Sequence, residues 1–223
     1  MGISGRKKQG IFVAPLAPVP ARCDYNAGVI GALEQRRILL DSALGSLMER
    51  AGNIGAIAGR LVKALSTGHK VLIAGNGGSA AQAQHFAAEL VGRFKRERSP
   101  YAALALTTDT SILTAIGNDY GYEDIFARQI RALGQPGDLF IALSTSGESE
   151  NLVRAATAAQ QYLITVVAMV GERACRLGKV ADIALQTPIA DTAIAQELHM
   201  LIIHVLCDIA EGQLAACEGE ASL

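Results

Sequence analysis

Between Asp138 and Leu152 the chain passes from a hydrophobic run, Leu139-Phe140-Ile141-Ala142-Leu143, through Ser144-Thr145-Ser146-Gly147-Glu148-Ser149 into a helical pattern. A strand that ends in hydroxyls and glycine just before a helix can bind an anion, and capping by Ser146 or Ser149 accounts for the same residues without excluding it. The first N–H groups of the helix have no partner inside it, and the macrodipole places partial positive charge there. Serine and threonine add donors without charge. The turn contains no Lys or Arg and does contain Glu148. That favours a small phosphoester held by N–H and O–H groups over a polyphosphate gripped by cations.

The rest of the chain repeats this alternation. Strands are expected at Lys70–Ala74, Ala102–Leu106, Asp138–Leu143, Ile164–Met169 and, briefly, Ile183–Gln186. Helices are expected at Ser79–Arg93, near Asp109–Ile116 and Tyr122–Leu133, at Glu150–Gln160 and over Thr192–Cys217. Hydrophobic strands joined by helical crossovers make a parallel sheet covered on both faces, an α/β/α sandwich. Before the first strand, Ile30, Leu33, Leu40, Leu44 and Leu47 recur at helical spacing. Ile54, Ile57, Leu61 and Leu65 mark a second helix, which Thr67-Gly68-His69 ends. These two helices precede the sheet and are expected to pack on partner subunits.

At 223 residues the chain suits one large domain, taken as residues 25–217 with tails at 1–24 and 218–223. It is 50% hydrophobic and 18% charged, enough to bury a substantial core, and its formal net charge of −1 offers no electrostatic case for nucleic acid. The basic clusters Arg6-Lys7-Lys8 and Arg93 to Arg98 are read as solvated surface. Cys23, Cys175, Cys207 and Cys217 are widely and irregularly spaced, with no CxxC, so reduced thiols in a cytoplasm are expected. No hydrophobic run is read as reaching the length of a membrane span. The N-terminal IFVAPLAPVP resembles a signal segment in part, but its prolines and short length argue against one.

A second anion-site candidate follows the first strand, at Gly75-Asn76-Gly77-Gly78-Ser79. Its glycines permit positive φ and close approach of a ligand to the backbone, and Ser79 is assigned the N-cap. A tight turn with a capping serine explains this motif equally well in isolation. Two such turns at the carboxyl ends of parallel strands, however, are how an open α/β sheet forms its ligand crevice.

The helix opened by that turn carries His85 and Glu89, four apart and on one face, about 6 Å apart along the axis. Such a pair can bind a metal ion or shuttle protons, and it is also an ordinary helical pair. Arg93, one turn on, is a candidate partner for Glu89. The last helix carries Gln196, His199 and His204. His199 lies about 60° behind Gln196 around the axis, and His204 about 80° ahead and roughly 12 Å along. The two histidines therefore point to different sides, and spacing does not choose between them. Asn118-Asp119 reads either as a turn that bonds its own backbone or as acceptors for sugar hydroxyls.

Four ordered segments, GNGGSAAQAQHFAAEL, ALTTDTSILTAIGNDYGYEDIF, RALGQPGDLFIALSTSGESENL and QELHMLIIHVLCDI, together resemble the sugar-isomerase (SIS) domain family and, within it, the phosphoheptose isomerases. The resemblance covers about Leu33 to Leu214. It implies a five-stranded parallel sheet in flavodoxin-like order and a cytoplasmic homotetramer with active sites shared between subunits. It implies interconversion of sedoheptulose 7-phosphate and D-glycero-D-manno-heptose 7-phosphate. By the same carry-over Ser144, Thr145, Ser146 and Ser149 hold the phosphate, and Asn76, Gly77, Gly78, Asn118 and Asp119 line the sugar. Glu89 is the proton-transferring base, and His204, rather than His199, is the second acid/base. The ligands of a zinc ion would be His85, Glu89, Gln196 and His204.

The chain departs from the family pattern in three places. Gly171 to Asp182 is shorter than the glycine-rich loop common there, the tail before Tyr25 has no counterpart, and Ala193 stands where some relatives carry an aspartate. Two rival readings share the fold: a non-catalytic scaffold that binds the replication initiator, and a phosphosugar sensor without turnover. Isomerisation of a shorter ketose phosphate is a third option.

Overall fold

The computed structural model describes the backbone of residues 25–220 and the side chains of residues 25–215. The tail expected at residues 1–24 lies outside the described residues, as do residues 221–223. The chain divides into two units, residues 1–35 and 36–223. Of the first, the helical residues 25–35 are described. All that follows concerns the second.

The sheet has five strands, β1 (Val71–Gly75), β2 (Ala103–Ala105), β3 (Leu139–Ser144), β4 (Thr165–Val170) and β5 (Ile183–Gln186). They are all parallel, in the order β2-β1-β3-β4-β5. The chain starts in the middle of the sheet and builds outward both ways, so the switch point lies between β1 and β3, where ligands of open α/β sheets bind. Their register sets Gly75 beside Leu143, which brings the two glycine-bearing turns together at one end of the sheet.

Among the described residues the α-helices are α1 (Tyr25–Met48), α2 (Ala51–Ser66), α3 (Gly78–Val91), α4 (Thr110–Asp119), α5 (Ala127–Leu133), α6 (Glu150–Gln161), α7 (Arg176–Val180) and α8 (Thr192–Glu220). The period-2 alternation of strand side chains divides the core. Val71, Ile73, Leu139, Ile141 and Met169 face one cluster with residues of α2, α3 and α8. Leu72, Ala74, Phe140, Ala142 and Val166 face another with residues of α5, α6 and α7. Strands buried on both faces explain why β1 and β3 read as unbroken apolar runs.

Three expectations need correction. α2 buries Ile57, Ala58, Leu61 and Ala64 in the core of its own chain, not against a partner subunit. From Arg36 onward, α1 lays Ala43, with Leu39, Leu40 and Leu44, on Ile194 and Leu198 of α8. α8 does contain a stretch, Thr192–Ala215, long and apolar enough by composition to cross a membrane. Half of its window is buried, and Ile202, Ile203, Leu206 and Ala210 pack inside the sheet–helix core, so within this fold it is a core helix. It also runs to Glu220, three residues past its expected end.

Candidate active site

The turn after β3 is closed by its own serine hydroxyls. Ser144 is buried, and its Oγ accepts a 3.0 Å hydrogen bond from Gly147 N–H. Ser146 Oγ accepts one from Glu148 N–H at 3.3 Å. Gly147 has φ +65°, which glycine adopts without strain, and a Cβ there would run into Cys175 Sγ. Ser149 occupies the N-cap of α6 with no side-chain cap bond, so capping does not consume the first-turn amides. Glu148 is drawn aside, its carboxylate accepting from Arg176 N–H at 3.1 Å. Arg154 and Arg176, bonded to Glu150, hold that carboxyl below the usual carboxylate range.

Beside this turn lies a hollow of about 400 Å³, lined by Thr145, Ser146, Glu172, Arg173, Thr192 and Ala195 among others. Arg173 is a cation that the turn itself lacks. Sequence reasoning missed it because it sits 27 residues after Ser146, in a segment noted only for its shortness.

The turn after β1 differs from its expectation. Gly77, with φ +56°, is the N-cap of α3. Ser79 lies inside the first turn, buried, its N–H donating to Asn76 O at 3.0 Å; it is not the cap. Asn76 and Asn151 exchange amide hydrogen bonds of 3.0 Å, and Tyr122 Oη donates to Asn76 Oδ1 at 3.0 Å. This network ties the β1 turn to the start of α6, and neither Asn151 nor Tyr122 was singled out from sequence. Asn118 and Asp119 form the exposed C-terminal end of α4, not a turn, with Asn118 Nδ2 donating to Asp119 Oδ1 at 2.7 Å.

Where α3 meets α8, three groups converge. His85 Nε2 stands 3.0 Å from His204 Nε2 and 3.3 Å from Glu89 Oε1. Ligand atoms of all three residues lie within 4.8 Å of one another. Two facing imidazole nitrogens can share only one proton between neutral rings. A tetrahedral zinc ion with bonds of about 2.0–2.2 Å sets its ligand atoms about 3.3–3.6 Å apart. Two imidazoles and a carboxylate form a donor set of the catalytic zinc type, with a position left for water or substrate. The residues fit the ion. Phe94 stacks on the far face of His204, 5.4 Å between ring centroids and 21° between planes.

The two helix histidines separate as their spacing predicts. His199 is fully buried, its Nε2 3.4 Å from Val170 O, and burial pushes its pKa down to about 4. It is a neutral core residue, whereas His204 faces α3. Gln196 faces α3 too, one end of the contact away. Its side-chain amide lies where a Cβ on Gly78 would come within 2.8 Å, and its backbone carbonyl accepts from Gln82 Nε2 at 2.6 Å. Gly78 is seven residues before His85, so Gln196 meets α3 about 10 Å along the helix from the triad. His204 lines a separate groove with Phe94, Met200, Leu201 and Val205.

The basic cluster after α3 is only partly solvated surface. Arg93 pairs with Glu97 at 3.7 Å, leaving Glu89 to His85. The Arg98 side chain is 1% exposed, paired with the equally buried Glu211 at 3.2 Å. Burial, then the charges of Glu89 and Glu211, push the Cys207 thiol up to about 12, so it serves as a packing group and not a nucleophile.

Comparison with known proteins agrees with this fold. The SIS domain family matches residues 41–171. The phosphoheptose isomerase of Helicobacter hepaticus is 54% identical over 153 residues, 69% of this chain and 78% of that one. That of Geotalea uraniireducens is 48% identical over 182 residues, 82% of this chain and 95% of that one. The solved phosphoheptose isomerase of Neisseria gonorrhoeae superposes with a TM-score of 0.77 at 39% identity, covering 84% of this chain and 99% of that one. By the family match and by its identity to these relatives, this chain belongs to the phosphoheptose isomerase family of SIS-domain proteins.

Proposed function

We propose that the protein is an aldose–ketose isomerase that converts D-sedoheptulose 7-phosphate to D-glycero-D-manno-heptose 7-phosphate through an enediol. The observation that carries this reading is the meeting of Glu89 and His204, with His85, at one point between α3 and α8. A scaffold or a sensor has no use for a base and an acid held within 4.8 Å of each other.

The chemistry moves a proton between C1 and C2. Glu89 takes a proton from C1 of the open-chain ketose and, its carboxyl exchanging with solvent while the enediol persists, delivers a proton to C2, while His204 carries the proton that leaves one oxygen and arrives at the other. His204 also serves ring opening by the same exchange. The open turn after β3, with Ser144, Thr145, Ser146 and Ser149, grips the remote phosphate, and that binding energy holds the reacting end against the base. Asn76, Gly77, Gly78, Asn118 and Asp119 are assigned to the sugar.

Zinc held by His85, Glu89 and His204, with Gln196 the further ligand that the family resemblance implies, would supply Lewis-acid polarisation of the carbonyl oxygen. A carboxylate engaged by a cation is a poorer base, so with an ion bound Glu89 would share the proton transfer with His204. The serine-turn hollow and the His204 groove are distinct within one chain. That separation supports sites completed by neighbouring subunits, in the homotetramer that the family resemblance implies. The buried reduced thiols Cys175 and Cys207 suit a cytoplasmic enzyme.

The test is incubation of purified protein with sedoheptulose 7-phosphate, with and without a chelator, following the aldoheptose by NMR. Aldoheptose should form and the chelator should slow it. Binding without any isomer would instead make the protein a sensor.

A further inference from the structure

Glu211 lies seven residues beyond His204 on α8, on the same side of the helix, and the mechanism does not use it. Its carboxylate, 1% exposed, accepts three successive backbone N–H groups, from Phe94 at 2.6 Å, Lys95 at 2.8 Å and Arg96 at 3.0 Å. Arg98 Nε adds a fourth bond at 3.2 Å. The Arg98 guanidinium then turns back on the end of α3. It donates to Glu89 O at 2.8 Å, to Gly92 O at 3.0 Å and to Ser99 O at 3.0 Å, and it stacks 3.9 Å from the Tyr101 ring centroid. One buried ion pair thus satisfies seven polar contacts and stitches the 92–99 connection to both α3 and α8.

A buried ion pair is a poor device for stability, since an apolar pair of similar volume often does as well or better. It does fix geometry, because a carboxylate that accepts several N–H groups tolerates little displacement. Its two ends bear on the two groups that matter. Through Phe94 it sets the ring that backs His204, and through Arg98 it holds the peptide carbonyl of Glu89.

We propose that the Arg98–Glu211 pair is the positioning device of the active site, holding Phe94 against His204 and the end of α3 in place so that Glu89 and His204 meet. Neither residue touches the reacting atoms. Both act through Phe94 and the α3 backbone. The kinetic part of this inference rests on the isomerase reading, while the spectroscopic part stands without it.

The experiment compares the full-length wild type with Glu211→Gln, Phe94→Leu and Phe94→Tyr. Steady-state kinetics with sedoheptulose 7-phosphate are paired with histidine-ring NMR. The chain has four histidines, and a His204→Gln sample assigns the relevant signal. In Glu211→Gln and Phe94→Leu, kcat should fall about 10- to 100-fold, with KM kept within about twofold because the phosphate turn lies on other elements. The His204 ring signal should move downfield as the stacked ring leaves. Phe94→Tyr, which keeps the ring, should retain both the rate and the shift. Should Glu211→Gln not fold, Phe94→Leu decides alone, since it removes no buried charge. The proposal fails if a folded variant lowers only the melting temperature, with the His204 signal and kcat unmoved, or if KM rises as much as kcat falls. A wild type that shows the expected histidine signals but makes no aldoheptose would refute the isomerase reading and leave the clamp to the NMR result.

Discussion

Acid should destabilise this fold through His199, and the amount follows from its position. The ring is fully buried against Val170 O, and its pKa falls from the ordinary value of 6.5 to about 4 because burial disfavours the cation. The unfolded chain exposes the same ring with an ordinary pKa. The folded-state value is depressed, so the stabilisation is complete above pH 6.5 and drains away as pH falls toward 4. A shift of that size corresponds to about 3 kcal/mol in total, at about 1.4 kcal/mol per unit. By pH 5 about 2 kcal/mol of it is already gone, since the unfolded ring is then almost fully protonated and the folded ring hardly at all. Urea unfolding of the wild type and of His199→Gln, at equal protein concentration between pH 7.5 and 5, isolates the term. Glutamine does not titrate, so the stability difference between the two proteins should shrink by about 2 kcal/mol across that range. Parallel curves would refute the argument that this ring is held neutral by burial.

Other substitutions probe the turn and the helix crossing. Gly147→Ala places a side chain at φ +65° and against Cys175. It should cost at least about 1–2 kcal/mol and raise KM more than it lowers kcat, as thermal melts and kinetics would show. Gly78→Ala sits in ordinary helical backbone but pushes on the Gln196 amide. Stability should change by less than about 1 kcal/mol, while zinc affinity, read by competition with a chromophoric chelator, should move. Arg173→Met removes the cation from the Thr145 hollow and should weaken inorganic phosphate inhibition several-fold without altering the fold, as circular dichroism would report.

Much of the architecture was legible because strands buried on both faces announce themselves as apolar runs, and because glycine and serine at strand ends have few other uses. Leu139–Ser144 and Val71–Gly75 appear within a residue or two of their expected bounds. The pairing of His85 with Glu89 followed from helical periodicity, and so did the divergence of His199 from His204. Choosing His204 needed the family resemblance, since angle around a helix says nothing about what stands opposite. What stayed hidden was long-range pairing. Arg98 read as surface because charged runs usually are, and the carboxylate that buries it is 113 residues away. The Ser79 cap failed for a local reason: Gly77 supplies the turn conformation one step earlier. α2 was misplaced because an amphipathic stripe specifies that a face is buried, not against which chain.

The central claim is that the carboxylate of Glu89 moves the proton between C1 and C2, and catalysis in D2O reads it most directly. Wild-type protein given sedoheptulose 7-phosphate should yield aldoheptose carrying deuterium at C2, and Glu89→Gln, folded as the wild type, should yield almost none. Turnover by Glu89→Gln at the wild-type rate, or a wild-type product free of deuterium, would contradict the account.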